Sequence, residues 1–217
     1  TKISGKMRHV ISDVWQLEEV SVFLSRLAEV GVDTETSSML PFNGKLLAVQ
    51  VGTYADQYIL DIQSLGNIAA RRVLKVLETK LVIGHNLKFD WKWFKYHLGI
   101  DLKTVFDTFL AECILTSGYD KKERHLSLEA CCKKYLEVKL DKSIRSVILY
   151  EGFSDRVIQY CAEDVQYLGA LKNRQMDQIK IWNLQNVMDL ENKAVRVFSL
   201  MEYNGVILDA EKWKEVY

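Results

Sequence analysis

Apolar residues along the chain change their spacing several times, and each change marks an element. Residues 9–13 fit a short edge strand. Over 15–30, Leu17, Val20, Phe23, Leu24 and Leu27 follow a helical period. The run VGVDTET, residues 30–36, then reads as a buried strand with an apolar lead-in. Residues two apart on a strand share a face, so Asp33 and Glu35 project together. Pro41 and Asn43-Gly44 mark a loop over 37–45. The runs LLAVQVG (46–52) and QYILD (57–61) are strands across a tight turn, which predicts an antiparallel meander leading away from the central strand. Residues 68–78 are helical in pattern, LVIG (81–84) is a short buried strand, and 86–98 is an aromatic-rich helix. Beyond Phe109 helices dominate. Ser127 opens one running to Tyr135, Ser154 and Asp155 cap one over 157–172, and a long one runs from 177 to 203 until Asn204-Gly205 breaks it. The order predicts an α/β fold: a mixed sheet, three antiparallel strands first and a later crossover strand, with helices on both faces.

Composition narrows the class. With 217 residues, 48% of them hydrophobic, the chain can bury a sizeable core as one domain with some extension. The 29 basic and 29 acidic side chains cancel, so attraction to phosphate has to be local. Cys113, Cys131, Cys132 and Cys161 include no CxxC pair, which argues against a zinc site and for buried thiols in a reducing compartment. No apolar run reaches the roughly 20 residues that span a bilayer, and TKISGKMRHV has no signal-peptide core, so a cytoplasmic location with no membrane partner is expected. The ending WKEVY suggests a piece of a longer protein.

Paired carboxylates on one strand face repel each other and call for a proton or a hard cation. A lone DxE reads more readily as a solvated strand end. Two further pairs change its weight. Asn86 and Asp90 are four apart at the start of a helix, as are Tyr160 and Asp164, so each pair lies on one helical face, about 6 Å apart in rise.

In this order the three motifs resemble the DEDD superfamily of 3′–5′ exonucleases, with a DnaQ-like, RNase H-like fold. Asp33-Thr34-Glu35 matches the first motif, Asn86 to Asp90 the second and Tyr160 to Asp164 the third, the tyrosine marking the DEDDy branch. IGHNLKFD, FDTFLAECIL, LSLEACCKKYL and YCAEDVQYL also resemble segments of RNase D and of family A DNA polymerase proofreading domains. MEYNGVILDAEKW is similar to the junction where such a polymerase passes into its thumb. The resemblance implies an exonuclease domain over 1–175, a long helix and junction over 176–217, and a polymerase domain following.

It also implies two Mg²⁺ ions, replaceable by Mn²⁺, held by Asp33, Glu35, Asp90 and Asp164. Asp33 would bridge both ions, Glu35 and Asp164 would complete the water-activating site, and Asp90 would reach the second ion through water. Tyr160 would orient the attacking water, since a phenol is a poor base at neutral pH. The implied substrate is a single-stranded or frayed DNA 3′ end, with Thr34, Met39, Asn86, Arg124 and Arg145 as candidate contacts. Met39 either wedges against the terminal base or packs on the core; Asn86 either braces the site or caps its helix. Asp107 is expected to cap, and His85 to pack or hydrogen-bond without ligating metal. Lys88, Lys92 and Lys95 recur at helical spacing, the last two reading as a solvated face. The rivals are an RNase D-like RNA exonuclease and an inactive binding or structural domain; the presence of all four acids and the tyrosine argues against the second.

Overall fold

The computed structural model describes residues 7–141 and 151–215. Six strands among them form one mixed sheet in the order β1-β4-β3-β2-β5-β6. β2 (Glu29–Thr36), β3 (Leu46–Gly52) and β4 (Asp56–Asp61) make the expected antiparallel meander. β1 (Met7–Ile11) starts two residues before the strand expected at 9–13 and lies parallel to β4 at one edge. β5 (Leu81–Gly84) runs parallel to β2. β6 (Thr104–Asp107), parallel to β5, is an addition to the sequence reading: four residues beginning with an exposed Thr104 offer too short an alternation to register.

The helices are α1 (Leu17–Ser25), α2 (Ile62–Leu65), α3 (Asn67–Leu74), α4 (Leu87–Trp93), α5 (Thr108–Leu115), α6 (Leu128–Leu136), α7 (Asp155–Gln166), α8 (Leu168–Ile181), α9 (Gln185–Asn204) and α10 (Ala210–Glu215). Val30 and Val32 of β2, with Val49, Val51 and Leu60, pack under Val20, Leu24, Leu74 and Trp91. On the other face Ala48 and Ile59 meet Val157 and Tyr160 of α7, while Ile83 and Phe106 meet Val165, Leu168 and Leu171. Every residue of β3 is buried, which is why it reads as a near-continuous apolar run. Among the described residues no helix is long and apolar enough to cross a membrane, and all four cysteines are free thiols.

Helix boundaries depart from expectation at three places. The helix expected over 86–98 ends at Trp93 and continues as a wide π turn, Phe94–Leu98, closed by Gly99 at φ 61°. The stretch from 157 to 203 divides at Tyr167 and again at 182–184, where Asn183 adopts a left-handed φ of 55°. Ser154 holds the N-cap position of α7, but its hydroxyl bonds Glu151 instead of the helix backbone.

The boundary expected at 175/176 falls inside α8. Ile179 and Met188 belong to one core cluster and Val195 to the other, so side chains beyond 175 pack into the core. α9 clamps α4: Glu202 pairs with Lys88 (2.5 Å) and Lys92 (2.6 Å), and Arg196 with Asp101 (2.6 Å), whose carboxylate also accepts the Trp91 indole N–H (3.1 Å). Lys92 is therefore no solvated-face residue; its side chain keeps 14% exposure and ends on Glu202.

One close approach places α7 and α8 on the sheet. A Cβ on Gly31 would stand 2.7 Å from the Val165 carbonyl oxygen and 3.3 Å from Leu168 Cδ1; one on Gly52, the cross-strand partner of Gly31, would stand 2.8 Å from Val165 Cγ2. Only glycine admits the helix here. Gly31→Ala is expected to cost about 1–3 kcal/mol, the range for overpacking, because the obstructing atom is backbone. Urea denaturation measures it, and a variant as stable as the parent would contradict this packing.

Candidate active site

The site forms at the carboxyl end of β2. β5 pairs with β2 only across Glu29–Gly31 and ends at Gly84, whereas β2 continues to Thr36. β3 returns along one side of β2 while the chain leaving β5 turns into α4 on the other, the kind of switch point where α/β sheets open a crevice. The turn is held by Asp107. Its carboxylate accepts the N–H groups of Asn86 (2.9 Å), Leu87 (2.8 Å) and Phe109 (2.9 Å), closing the amino ends of α4 and α5. The expected capping role is thus observed. Asn86 sits at the N-cap of α4 with φ 67°, a left-handed conformation that asparagine tolerates, and its side chain makes no capping bond. His85 Nδ1 lies 2.9 Å from Thr108 Oγ1 with its ring edge-on to Phe109, hydrogen-bonded and packed as expected.

Asp33 and Glu35 project from β2 toward α7, which returns Asp164 to them. One carboxylate oxygen from each lies within 4.8 Å of the others. Glu35 and Asp164 are only 8% and 4% exposed. At that separation and an effective dielectric near 20, each pair of charges repels by about 3–4 kcal/mol. Three hard oxygen donors so crowded, two of them nearly buried, suit a Mg²⁺-sized ion, which would relieve that repulsion. Tyr160, one helical turn before Asp164 and 6% exposed, packs against the same face beside Ala48 and Cys161. Ala48 is the cross-strand partner of Glu35, and its small side chain leaves the acid room. Burial pushes the Cys161 thiol pKa up, and the charges of Glu35, Asp164 and Asp33 add to the rise, so the thiol lies in the field of all three acids.

Asp90 is not among the three acids that meet within 4.8 Å of one another. Thr34 alternates with its two acidic neighbours along β2 and so faces the side covered by α4. There its hydroxyl donates to Asp90 Oδ1 at 2.6 Å, and Asp90 is 2% exposed. Burial pushes the Asp90 carboxyl up to about 7; the charge of Asp107 adds to the rise and the Thr34 bond opposes it. Thr34 is therefore occupied with Asp90. Met39 is 76% exposed on the loop leaving β2, which removes the core-packing alternative. The Arg124 guanidinium bonds Thr116 Oγ1 and the Cys113 carbonyl, both at 3.3 Å, fastening its own loop. Arg145 lies outside the described residues. The sequence reading passed over Gln50, the cross-strand partner of Asp33; its signal was a lone polar residue inside the run LLAVQVG.

A mixed sheet of this order, with helices on both faces and clustered carboxylates at its central strand, has the RNase H-like architecture. The family model described as 3′-5′ exonuclease matches residues 8–180, and the chain belongs to that family. Among curated relatives, DNA polymerase I of Aquifex aeolicus is 30% identical over 200 residues, covering 83% of this chain and 32% of that protein. Protein RRP6-like 1 of Arabidopsis thaliana is 29% identical over 163 residues, covering 73% and 24%. The chain thus spans about a third or less of the length of these relatives. Among solved structures, Brucella melitensis NrnC bound to pGG superposes with a TM-score of 0.78 at 23% identity, covering 93% of this chain and 95% of that one. Another structure of the same protein carries bound Mg²⁺ and superposes with a TM-score of 0.71 at 21% identity, covering 94% and 97%.

Asp90 yields a test of site electrostatics. Its folded pKa of about 7 lies above the unfolded value near 3.9, so the folded state holds a proton that the unfolded state releases between those limits. Its contribution to stability is favourable below that window, falls as pH rises through it, and stays unfavourable above. Asp90→Asn keeps the acceptor for Thr34 and removes the ionisation. In EDTA the melting temperature of the variant relative to the parent is expected to climb between about pH 5 and about pH 8. A difference that is flat or falls with pH would contradict the buried placement of Asp90.

Proposed function

We propose that this exonuclease removes nucleotides from single-stranded or frayed DNA 3′ ends as the proofreading module of a cytoplasmic family A DNA polymerase. The observation that carries the reading is the meeting of Asp33, Glu35 and Asp164 within 4.8 Å beside the buried Tyr160. The 30% identity to a DNA polymerase I favours the polymerase context. Val206 and Ile207, 95% and 99% exposed, and the half-exposed Trp213 are apolar surface that an adjoining polymerase domain would cover.

Two Mg²⁺ ions, or Mn²⁺ in their place, would supply an activated water and stabilise charge on the leaving 3′ oxygen. Asp33, Glu35 and Asp164 would hold one cation, and Asp90 would reach the second through water. Tyr160 holds the attacking water by its hydroxyl and takes no proton from it. Met39, exposed on the loop that leaves β2, offers an apolar surface to the terminal base, while Asn86 and Arg145 remain candidates for sugar and phosphate contact.

The relative named RRP6-like 1 supports the RNA exonuclease reading as the second one, and the same assay separates the two. With Mg²⁺, 5′-labelled single-stranded DNA is expected to shorten stepwise and faster than RNA of the same sequence. Asp33→Ala combined with Glu35→Ala should abolish the ladder while the melting temperature in EDTA holds or rises, since crowded charges are removed. A double variant that digests DNA at the parent rate would overturn the nuclease assignment, and RNA shortened faster than DNA would select the second reading. Tyr160→Phe is expected to lower turnover about 100-fold or more while Mn²⁺ titration finds its metal affinity within about two-fold of the parent. Parent-like turnover would remove Tyr160 from the reaction.

A further inference from the structure

Gln50 has no solvent exposure, and its amide makes no well-formed hydrogen bond, meeting only the weakly bonding Cys161 thiol. Burying such a group unpaired costs about 1–3 kcal/mol, and buried amides are mostly paired, so its retention calls for a reason. The strand register names what it faces. Gln50 stands directly opposite Asp33 in the antiparallel β2–β3 pair, where side chains of facing residues share one side of the sheet with Cβ atoms about 5 Å apart. From α7 the Cys161 thiol closes over it, touched by the Gln50 amide and by the field of Glu35, Asp164 and Asp33. The orphan amide therefore lies on the triad's face, walled from water.

We propose that Gln50 is a positioning residue for the cation site: its amide N–H donates to one oxygen of Asp33 and so turns the other oxygen toward the ion. This rests on the metal-dependent nuclease reading above. The residue type suits the task. A lysine here would neutralise Asp33 in place of the cation, a glutamate would add a fourth negative charge, and an apolar residue would offer the carboxylate no donor. A neutral donor orients without competing. Partners of this kind around metal ligands are worth about 10–100-fold in metal affinity or activity. The bond would close when a bound cation sets the Asp33 carboxylate, as with catalytic contacts that tighten only in the loaded state.

The test is Gln50→Met, close in length and without polar atoms, with Gln50→Leu as the second variant should the first melt early. Three quantities are read on the whole chain: melting temperature in EDTA, Mn²⁺ affinity from the free-ion paramagnetic resonance signal without nucleic acid, and the Mg²⁺ dependence of single-stranded DNA hydrolysis. Removing an unpaired buried amide should leave the melting temperature equal or higher. Mn²⁺ affinity should fall about 10-fold or more, and the Mg²⁺ needed for half-maximal rate should rise in parallel, with excess Mg²⁺ restoring most of the rate. A folded variant with parent-like Mn²⁺ affinity would overturn the proposal. Asp33→Ala serves as the reference: if it too binds Mn²⁺ like the parent, the cation site itself is misplaced and the nuclease reading fails first.

Discussion

The seating of α7 on a pair of facing glycines is the contact on which the rest of the structure depends. Gly31 and Gly52 leave a bare patch of backbone on β2 and β3, and Val165 settles into it, its carbonyl where a Gly31 side chain would begin. Asp164 precedes Val165, and Asp33 lies two residues beyond Gly31. A helix held away by one methyl group would carry its carboxylate out of reach of the two on the strand. Backbone proximity thus sets an electrostatic problem: three carboxylates within 4.8 Å of one another, two of them nearly buried.

That crowding is what makes the site chemical as well as structural. Like charges so close are stable only when a cation or a proton joins them. The fold spends stability on the arrangement, and the surrounding residues are chosen to keep it open: Ala48 rather than a larger side chain opposite Glu35, and a neutral Gln50 opposite Asp33. On the far side of β2, Asp107 gathers the amino ends of two helices and Thr34 anchors Asp90, so the second motif is braced independently of the first and third. α9 closes the assembly from outside by pinning α4 through Glu202 and Arg196.

Much of this was legible in the sequence because it rests on local periodicity. The strand carrying Asp33 and Glu35, the meander after it, and the four-residue spacings at Asn86–Asp90 and Tyr160–Asp164 all follow from which residues share a face. What escaped depends on tertiary contact. β6 is too short to declare itself without β5 beside it. The split of the late helices turns on Tyr167 and Asn183, neither a usual helix breaker. Packing of α9 on α4 joins residues more than a hundred positions apart. The orphan amide of Gln50 is invisible without the register that sets it against Asp33.

The central claim is that one cation binds where Asp33, Glu35 and Asp164 converge. Anomalous diffraction from crystals grown with Mn²⁺ measures this directly. The account predicts a peak within coordination distance, about 2.0–2.3 Å, of oxygens from all three carboxylates, with water completing the shell. Mn²⁺ bound elsewhere, or a fully occupied ion held without Asp164, would contradict it.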